Sequence, residues 1–168
     1  MADQKEYMTL MDHSNRKVVL GLGNLLFSDE GFGIQAVQTL HAQLGTQYQV
    51  EWIDGGVLGL NLLPLVEECS HLLVLDAVDA GQPGGTLVEM ARDEIPLYTG
   101  VKMSEHQVGF QEVLAIARLR ERYPTCLYLV GIQPADLSVG IGLSPAVTAA
   151  LPEAVQRGIE ILRYWFPV

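Results

Sequence analysis

The sequence predicts an α/β fold in which a largely parallel sheet carries helices on both faces. Short apolar runs typical of buried strands alternate along the 168 residues with stretches whose apolar positions recur at helical spacing. A glycine-rich turn at residues 21–33 joins the first apolar run to the first helical stretch. The run at residues 71–79 stays apolar until Asp76 and Asp79 appear at its carboxyl end, which is typical of a central strand covered on both faces.

Strands are predicted where short apolar runs end at glycine, proline or acidic residues. These runs cover residues 17–23, 48–53, 71–79, 84–90 and 126–132. The fourth follows a glycine-rich turn, so we interpret it as an added strand that runs antiparallel to its neighbours.

Helices are predicted over residues 30–44 and 58–69, with Pro64 interrupting or tilting the second. A third opens at the sequence S-x-x-Q of residues 104–107, which fits a capping box. Ser144 and Pro145 form an N-cap and first-turn pair for a fourth helix. Its apolar stripe continues past Pro152, so we expect a kink there and not a break.

Length and composition indicate one domain at residues 17–168, preceded by a flexible tail at residues 1–16. Ten Lys and Arg residues against twenty Asp and Glu give a net charge of −10, which opposes nucleic acid and anionic membrane surfaces. No apolar stretch is long enough to span a membrane, and no secretion signal opens the sequence. Cys69 and Cys126 lack metal-ligand spacing, so we expect buried free thiols in a cytoplasmic protein.

Parallel strands end together at one end of a sheet, where ligands bind in folds of this class. The predicted strands place five acids there: Asp29, Glu30, Asp54, Asp76 and Asp79. A glycine-rich turn at a helix N-terminus usually cradles a phosphate, but here Asp29 and Glu30 stand where the anion would lie. The turn therefore predicts metal-directed chemistry, and it argues against nucleotide binding.

Glu30, Asp76 and His106 form the candidate metal-binding triad. Two carboxylates and one imidazole can hold a divalent transition metal through three positions and leave others open for a substrate. His106 is predicted at the second position of a helix, where the helix dipole disfavours the imidazolium and keeps the ring neutral, as a ligand must be. Spacing alone leaves other roles open: Glu30 as a first-turn helix carboxylate, Asp29 as an N-cap and His106 as a solvated residue.

The sequence Asp54-Gly55-Gly56 is predicted first as a turn whose glycines adopt positive φ. Because this turn follows a predicted strand, Asp54 and Gly55 are also candidates for substrate contact, together with Asp29. Asp79 is predicted to be a turn acid at the end of a strand. His13, His41 and His71 are predicted to be structural or solvated.

Other classes of site fit less well. Gly21 and Gly23 match the first two glycines of the dinucleotide fingerprint, but Leu26 replaces the third. Asp54 lies thirty-one residues past Gly23, where the fingerprint places its acid after about twenty. A serine hydrolase is disfavoured because G-x-S-x-G is absent, and a cysteine protease because neither cysteine has an obvious base.

Six ordered motifs make residues 18–162 resemble the maturation endopeptidases of nickel–iron hydrogenases. They are G-x-G-N with D-E-G-x-G at 21–33, D-G-G at 54–56, D-A at 76–77, S-x-H-Q-x-G at 104–109, V-G-I-x-P at 130–134 and G-L-S-P at 142–145. The unmatched N-terminal tail is longer than the family leads us to expect, and we expect it not to affect the chemistry.

The resemblance implies a three-layer α/β/α fold around a twisted, mostly parallel sheet of about five strands. It also implies an endopeptidase that cuts a C-terminal extension from a hydrogenase large-subunit precursor after nickel insertion. Glu30, Asp76 and His106 would be its metal-contacting and catalytic residues, with the general base unassigned.

We expect the nickel to be carried by the precursor's own thiolates, with no resident cofactor, so that cleavage proceeds only when the metal is present. We further expect a monomer that docks transiently. The alternatives are a non-proteolytic assembly or chaperone protein for the nickel site, and a dinucleotide-binding module.

Overall fold

One five-stranded sheet forms the centre of the computed structural model, which describes residues 15–97 and 105–167, with the backbone alone at residues 105–108. The strands are β1 (Arg16–Leu22), β2 (Glu51–Gly56), β3 (Cys69–Ala77), β4 (Leu87–Ala91) and β5 (Cys126–Ile132). Their order across the sheet is β2-β1-β3-β5-β4. All neighbouring pairs are parallel except β4 with β5, which confirms the predicted antiparallel addition.

Four α-helices cover the two faces of this sheet: α1 (Phe32–Leu44), α2 (Leu63–Glu68), α3 (Glu105–Leu119) and α4 (Pro145–Trp165). Side chains alternate along each strand, so β3 contributes Leu72 and Val74 to one hydrophobic cluster and Leu73 and Leu75 to the other. Helices α2 and α3 pack on the first cluster, and α1 and α4 pack on the second. The predicted three-layer α/β/α architecture is confirmed.

The predicted helix at residues 58–69 is shorter than expected and has two parts. A 3₁₀ turn at Gly59–Leu62 leads into α2, and Pro64 lies in the first turn of that helix. Proline lacks an N–H group and has a fixed φ, so it suits a first turn, where no intrahelical bond is required of the nitrogen. Pro64 therefore stabilises the start of the α-helix and does not interrupt it.

The predicted turn at Asp54-Gly55-Gly56 is instead the end of β2. The ladder to β1 continues through these residues, pairing Gly21 with Asp54 and Leu22 with Gly56. Only Gly56 of the two glycines has a positive φ, +45°. Gly55 is needed for packing, since a Cβ there would lie 2.6 Å from a methyl carbon of Leu20.

Helix α4 begins as predicted, with the Ser144 hydroxyl accepting a hydrogen bond from the Val147 N–H and Pro145 in the first turn. It continues through Pro152 to Trp165 without a break. Helix α3 begins at Glu105, and Ser104 of the predicted capping box lies outside the described residues.

The predicted tail lies outside the described residues except for its last two positions. Arg16, which the sequence placed in that tail, is the first residue of β1 and forms ion pairs with Glu51 and Glu68. Among the described helices, none is both long and apolar enough to cross a bilayer.

Candidate functional site

The predicted acids lie at the end of the sheet where β1, β2, β3 and β5 finish, which we call the carboxyl end. Asp54 is an exposed residue near the end of β2, where it pairs with Gly21 of β1. Asp76 is the penultimate residue of β3, is only 4% exposed and pairs with Gly131 of β5. Asp79 follows two residues beyond the end of β3. The topology therefore brings together acids that are far apart in the sequence.

Glycines position Glu30 close to the sheet. A Cβ at Gly23 would overlap the carbonyl oxygen of Glu30, and a Cβ at Gly33 would overlap the carbonyl oxygen of Leu75 on β3. Glu30 lies half-buried in a 3₁₀ turn, Ser28–Gly31, that packs against β3, the strand that carries Asp76. The glycines of the motif thus allow a helix start to approach two strands closely, a use that requires no phosphate.

Asp29 has no exposed surface, and its carboxylate accepts four hydrogen bonds. One oxygen, Oδ1, accepts from the backbone N–H of Ser144 at 2.7 Å. The other, Oδ2, accepts from the N–H groups of Ala135 and Asp136 and from the Ser144 hydroxyl, each at 2.8 Å. Asp29 therefore joins its turn to the loop after β5 and to the N-cap of α4, and it is not an N-cap itself.

Backbone bonds extend this junction. We call residues 24–31 the acidic turn and residues 133–144 the long loop. Ser28 N–H donates to the Gly140 carbonyl at 2.8 Å, and Gly140 N–H donates to the Leu26 carbonyl at 2.9 Å. The Ser28 hydroxyl donates to the Ser138 carbonyl. The acidic turn and the long loop are thereby held as one unit beside β3.

Gln133 holds the segment after β3 and was not predicted as a site residue. Its Oε1 accepts from the N–H groups of Ala80 and Gln82, and its Nε2 donates to Asp79 Oδ1 at 3.1 Å. Asp79 also accepts from the Gly81 N–H, as predicted for a turn acid. The sequence indicates this role only by placing a polar residue directly between a predicted buried strand and a proline.

The three candidates for substrate contact have different environments. Asp54 is exposed, with Oδ1 accepting from the Gly56 N–H at 3.0 Å, and Gly55 is buried beside it. Asp29 is occupied by its bonds to the long loop. A role of Asp54, Gly55 or Asp29 in binding substrate stays a prediction.

His106 is the second residue of α3, at the helix start predicted for it, and its side chain lies outside the description. Helix α3 packs against the 3₁₀ turn that follows β2. Among the side chains that the structure describes, no three His, Cys, Asp or Glu residues group as metal ligands. The side chain of His106 is not among them, so the triad stays a prediction.

The other described histidines have structural surroundings. His41 stacks on Trp52 with ring centroids 5.2 Å apart, and His71 packs against Trp165 and Phe166. Both cysteines are free thiols, and burial raises the pKa of Cys69 to about 12. These observations agree with the roles predicted for His41, His71 and Cys69. Cys126 is a free thiol as predicted but is only half-buried at the start of β5, so the prediction that it is buried is wrong.

A family model described as hydrogenase maturation protease matches residues 34–161. The hydrogenase expression/formation protein HupD of Rhizobium leguminosarum bv. viciae is 43% identical over 152 residues, covering 89% of this chain and 75% of HupD. The hydrogenase 2 maturation protease of Escherichia coli K12 is 35% identical over 149 residues, covering 88% of this chain and 91% of that protein.

Solved structures share the fold. The hydrogenase maturating endopeptidase HybD of E. coli superposes with a TM-score of 0.80 at 34% identity, covering 89% of this chain and 93% of HybD. The [NiFe] hydrogenase maturation protease HybD of Thermococcus kodakarensis gives a TM-score of 0.70 at 25% identity, covering 88% and 99%. The match to the family model spans most of the chain and the relatives share both sequence and architecture, so this chain belongs to the hydrogenase maturation protease family.

Proposed function

We propose that this protein removes the C-terminal extension of a nickel–iron hydrogenase large-subunit precursor, and that nickel already bound to the precursor is its recognition element. The observation that carries the proposal is the packing of the Glu30 turn against β3, the strand that carries Asp76, in a member of a protease family. The names of the relatives refer to hydrogenase maturation, which supports a hydrogenase precursor as substrate.

In this proposal Glu30, Asp76 and His106 contact the nickel that the precursor brings. Two carboxylates supply hard oxygen ligands, and a histidine at a helix start supplies a neutral imidazole nitrogen. The nickel of the precursor would polarise the scissile carbonyl, and either the nickel or one of the two carboxylates would activate the attacking water. This scheme requires no resident metal. The general base stays unassigned. Cleavage in this scheme depends on nickel, which makes nickel insertion a checkpoint.

The test follows the mass of purified precursor, nickel-loaded or nickel-free, after it is mixed with the enzyme. Wild-type enzyme should shorten only the nickel-loaded form. Asp76→Asn and His106→Ala should slow cleavage by about 100-fold or more, the scale expected for the loss of a catalytic group. His41→Ala removes a histidine outside the triad and should cleave as wild type. Thermal unfolding of each variant checks that the fold is kept.

Three outcomes would contradict the proposal. Efficient shortening of the nickel-free precursor by metal-free enzyme would remove nickel from recognition. A stable complex with the nickel-loaded precursor but no change in mass would favour a non-proteolytic assembly protein. Stabilisation by NAD in place of the precursor would favour a dinucleotide-binding module.

We also propose a cytoplasmic monomer that docks transiently on its substrate. The free thiols of Cys69 and Cys126 support a reducing compartment. A size-exclusion measurement on the purified protein tests the monomer, and a shift to twice the mass at micromolar concentration would contradict it.

A further inference from the structure

Large apolar side chains are exposed mainly at the carboxyl end of the sheet. In the described part of the chain, eight such side chains are more than half exposed, and six of them follow β1, β2 or β5. We call these six the apolar rim: Leu26, Val57, Leu58, Leu60, Val139 and Ile141. The most exposed are Val139 at 81% and Ile141 at 89%. Exposed apolar groups gathered at one place are typical of a binding surface.

Hydrogen bonds join the segments of the rim. Leu26 accepts from Gly140, the residue between Val139 and Ile141. The N–H of Gly23, the residue before the acidic turn, donates to the carbonyl of Gly56, the residue before Val57, at 3.0 Å. The rim therefore has a backbone held in place on both sides of β1, which lowers the entropy lost when a partner binds.

Among the described residues, the charges around the rim are all negative. Residues 18–91 and 123–156 contain no Lys or Arg, and together they supply every described loop at the carboxyl end. The acids there include Asp54 and Asp136, both exposed. Hydrogen bonds from Ser138 lower the pKa of Asp136, so its charge is present at neutral pH.

We propose that the apolar rim docks a segment of the precursor that combines aliphatic side chains with Lys or Arg, an inference that rests on the proposed function. The aliphatic groups would cover the rim, while the cationic groups would face Asp54 and Asp136. A second copy of this chain is disfavoured, because two acidic surfaces repel each other, and so are nucleic acids and anionic membranes. The docked segment lies at the same end of the sheet as Glu30 and Asp76, where the scissile bond must enter.

The apolar half of the proposal is tested by steady-state cleavage of the nickel-loaded precursor. Val139→Ser combined with Ile141→Ser should raise KM by about 10-fold or more and leave kcat nearly unchanged, since the pair acts in binding and not in chemistry. The matched control combines Leu119→Ser with Tyr164→Ser, which removes two equally exposed apolar side chains away from the rim. Its KM should equal that of the wild type. Equal KM values for both double variants would overturn the proposal.

The cationic character of the docked segment is tested by measuring KM at different salt concentrations. Wild-type KM should rise between 50 and 500 mM NaCl, because added ions screen attraction between opposite charges. Asp54→Asn combined with Asp136→Asn should make that rise shallower, and Glu153→Gln, an exposed acid on α4, should leave it unchanged. A wild-type KM that does not depend on salt would overturn the cationic character of the segment.

Binding measured without turnover separates the two proposals. If wild-type enzyme does not shorten the precursor, the proposed function fails. Complex formation with the rim variant and its control then still decides whether the rim docks the precursor. If cleavage proceeds and the rim variant matches the wild type in KM and in complex affinity, only the docking proposal fails.

Discussion

Asp29 and Glu30 are neighbours in sequence with opposite surroundings. The Asp29 carboxylate is buried and accepts four hydrogen bonds from the long loop and the start of α4. Glu30 is half-buried on the turn that packs against β3. One carboxylate thus fixes the backbone from which the next projects, and a side chain held in this way would lose little freedom on contacting the proposed nickel.

Asp29→Asn should destabilise the protein by about 3 kcal/mol. All four groups bonded to the Asp29 carboxylate are donors, so the amide nitrogen of asparagine would face donors and leave at least one buried N–H without an acceptor. The substitution also removes the negative charge that strengthens these hydrogen bonds. Urea unfolding measures the change. Asp93→Asn is the matched control, because its side chain is 76% exposed and its ion pair with Arg92 lies at the surface. It should alter stability by less than about 0.5 kcal/mol. Equal effects of the two substitutions would refute a structural role for Asp29.

His71 should make stability depend on pH. Burial and the charge of Lys17 lower the pKa of His71 below its ordinary value of about 6.5. The unfolded chain then binds this proton more readily than the folded chain. The free energy of unfolding should therefore rise as the pH increases towards about 6.5 and level off above it. Urea midpoints between about pH 5 and pH 8 measure the rise, and His71→Gln should flatten it. A variant with the full wild-type rise would contradict this assignment.

Local residue roles were predictable where the partners are close in sequence. The turn acid Asp79 binds the N–H two residues away, and the Ser144 cap binds the N–H three residues away. The four donors to Asp29 lie 106 to 115 residues further along the chain. No pattern in the sequence indicates such a junction, because it depends on how two distant loops meet.

At the scale of elements, glycines decide how closely α1 approaches the sheet. The start of α1 packs against β1 and β3 with no side chain between them at Gly21 and Gly33. The sequence indicated a strand-to-helix turn but not this contact. The last residues of β2 were not predicted as strand, because glycine is generally unfavourable in strands. Pairing with β1 outweighs that preference here.

Gly33→Ala should destabilise the protein by about 3 kcal/mol or more. The added methyl group would overlap the carbonyl oxygens of Leu22 and Leu75, which are backbone atoms that cannot yield without moving two strands. Gly109→Ala, inside α3, provides the contrast. The nearest atom to its Cβ would be the Gly59 Cα at 3.5 Å, an ordinary contact. It should gain about 0.5–1 kcal/mol from helix propensity. Chemical unfolding distinguishes these results, and a harmless Gly33→Ala would contradict the close approach.

At the scale of the whole molecule, one sheet separates two hydrophobic clusters. The alternation of strands and helices was enough to predict this arrangement, since the hydrophobic repeats of strands and of helices can both be read from short stretches of sequence. The strand order β2-β1-β3-β5-β4 was not predicted, because it depends on contacts between strands that are distant in sequence. Both tryptophans, Trp52 and Trp165, pack on the cluster formed with α1 and α4.

Leu114→Ala should lower the stability of both faces of the sheet to the same extent. Leu114 is fully buried in the cluster on the α2 and α3 face, away from both tryptophans. A shared sheet should couple the faces, so a loss of about 2–5 kcal/mol should appear equally in tryptophan fluorescence and in far-UV circular dichroism. Leu119→Ala, whose side chain is 84% exposed, should shift neither signal appreciably. Two separate transitions would show that the faces unfold independently.

The absence of Lys and Arg from the described loops at the carboxyl end also determines how these loops respond to trypsin. Trypsin cuts after Lys and Arg, because an aspartate in its specificity pocket receives the cation. It finds no such residue between Lys17 and Arg92 or between Arg122 and Arg157, so these loops survive even where they are accessible. A bound segment rich in Lys and Arg would be digested. Brief trypsin treatment should therefore strip the docked partner and leave the surface that held it intact.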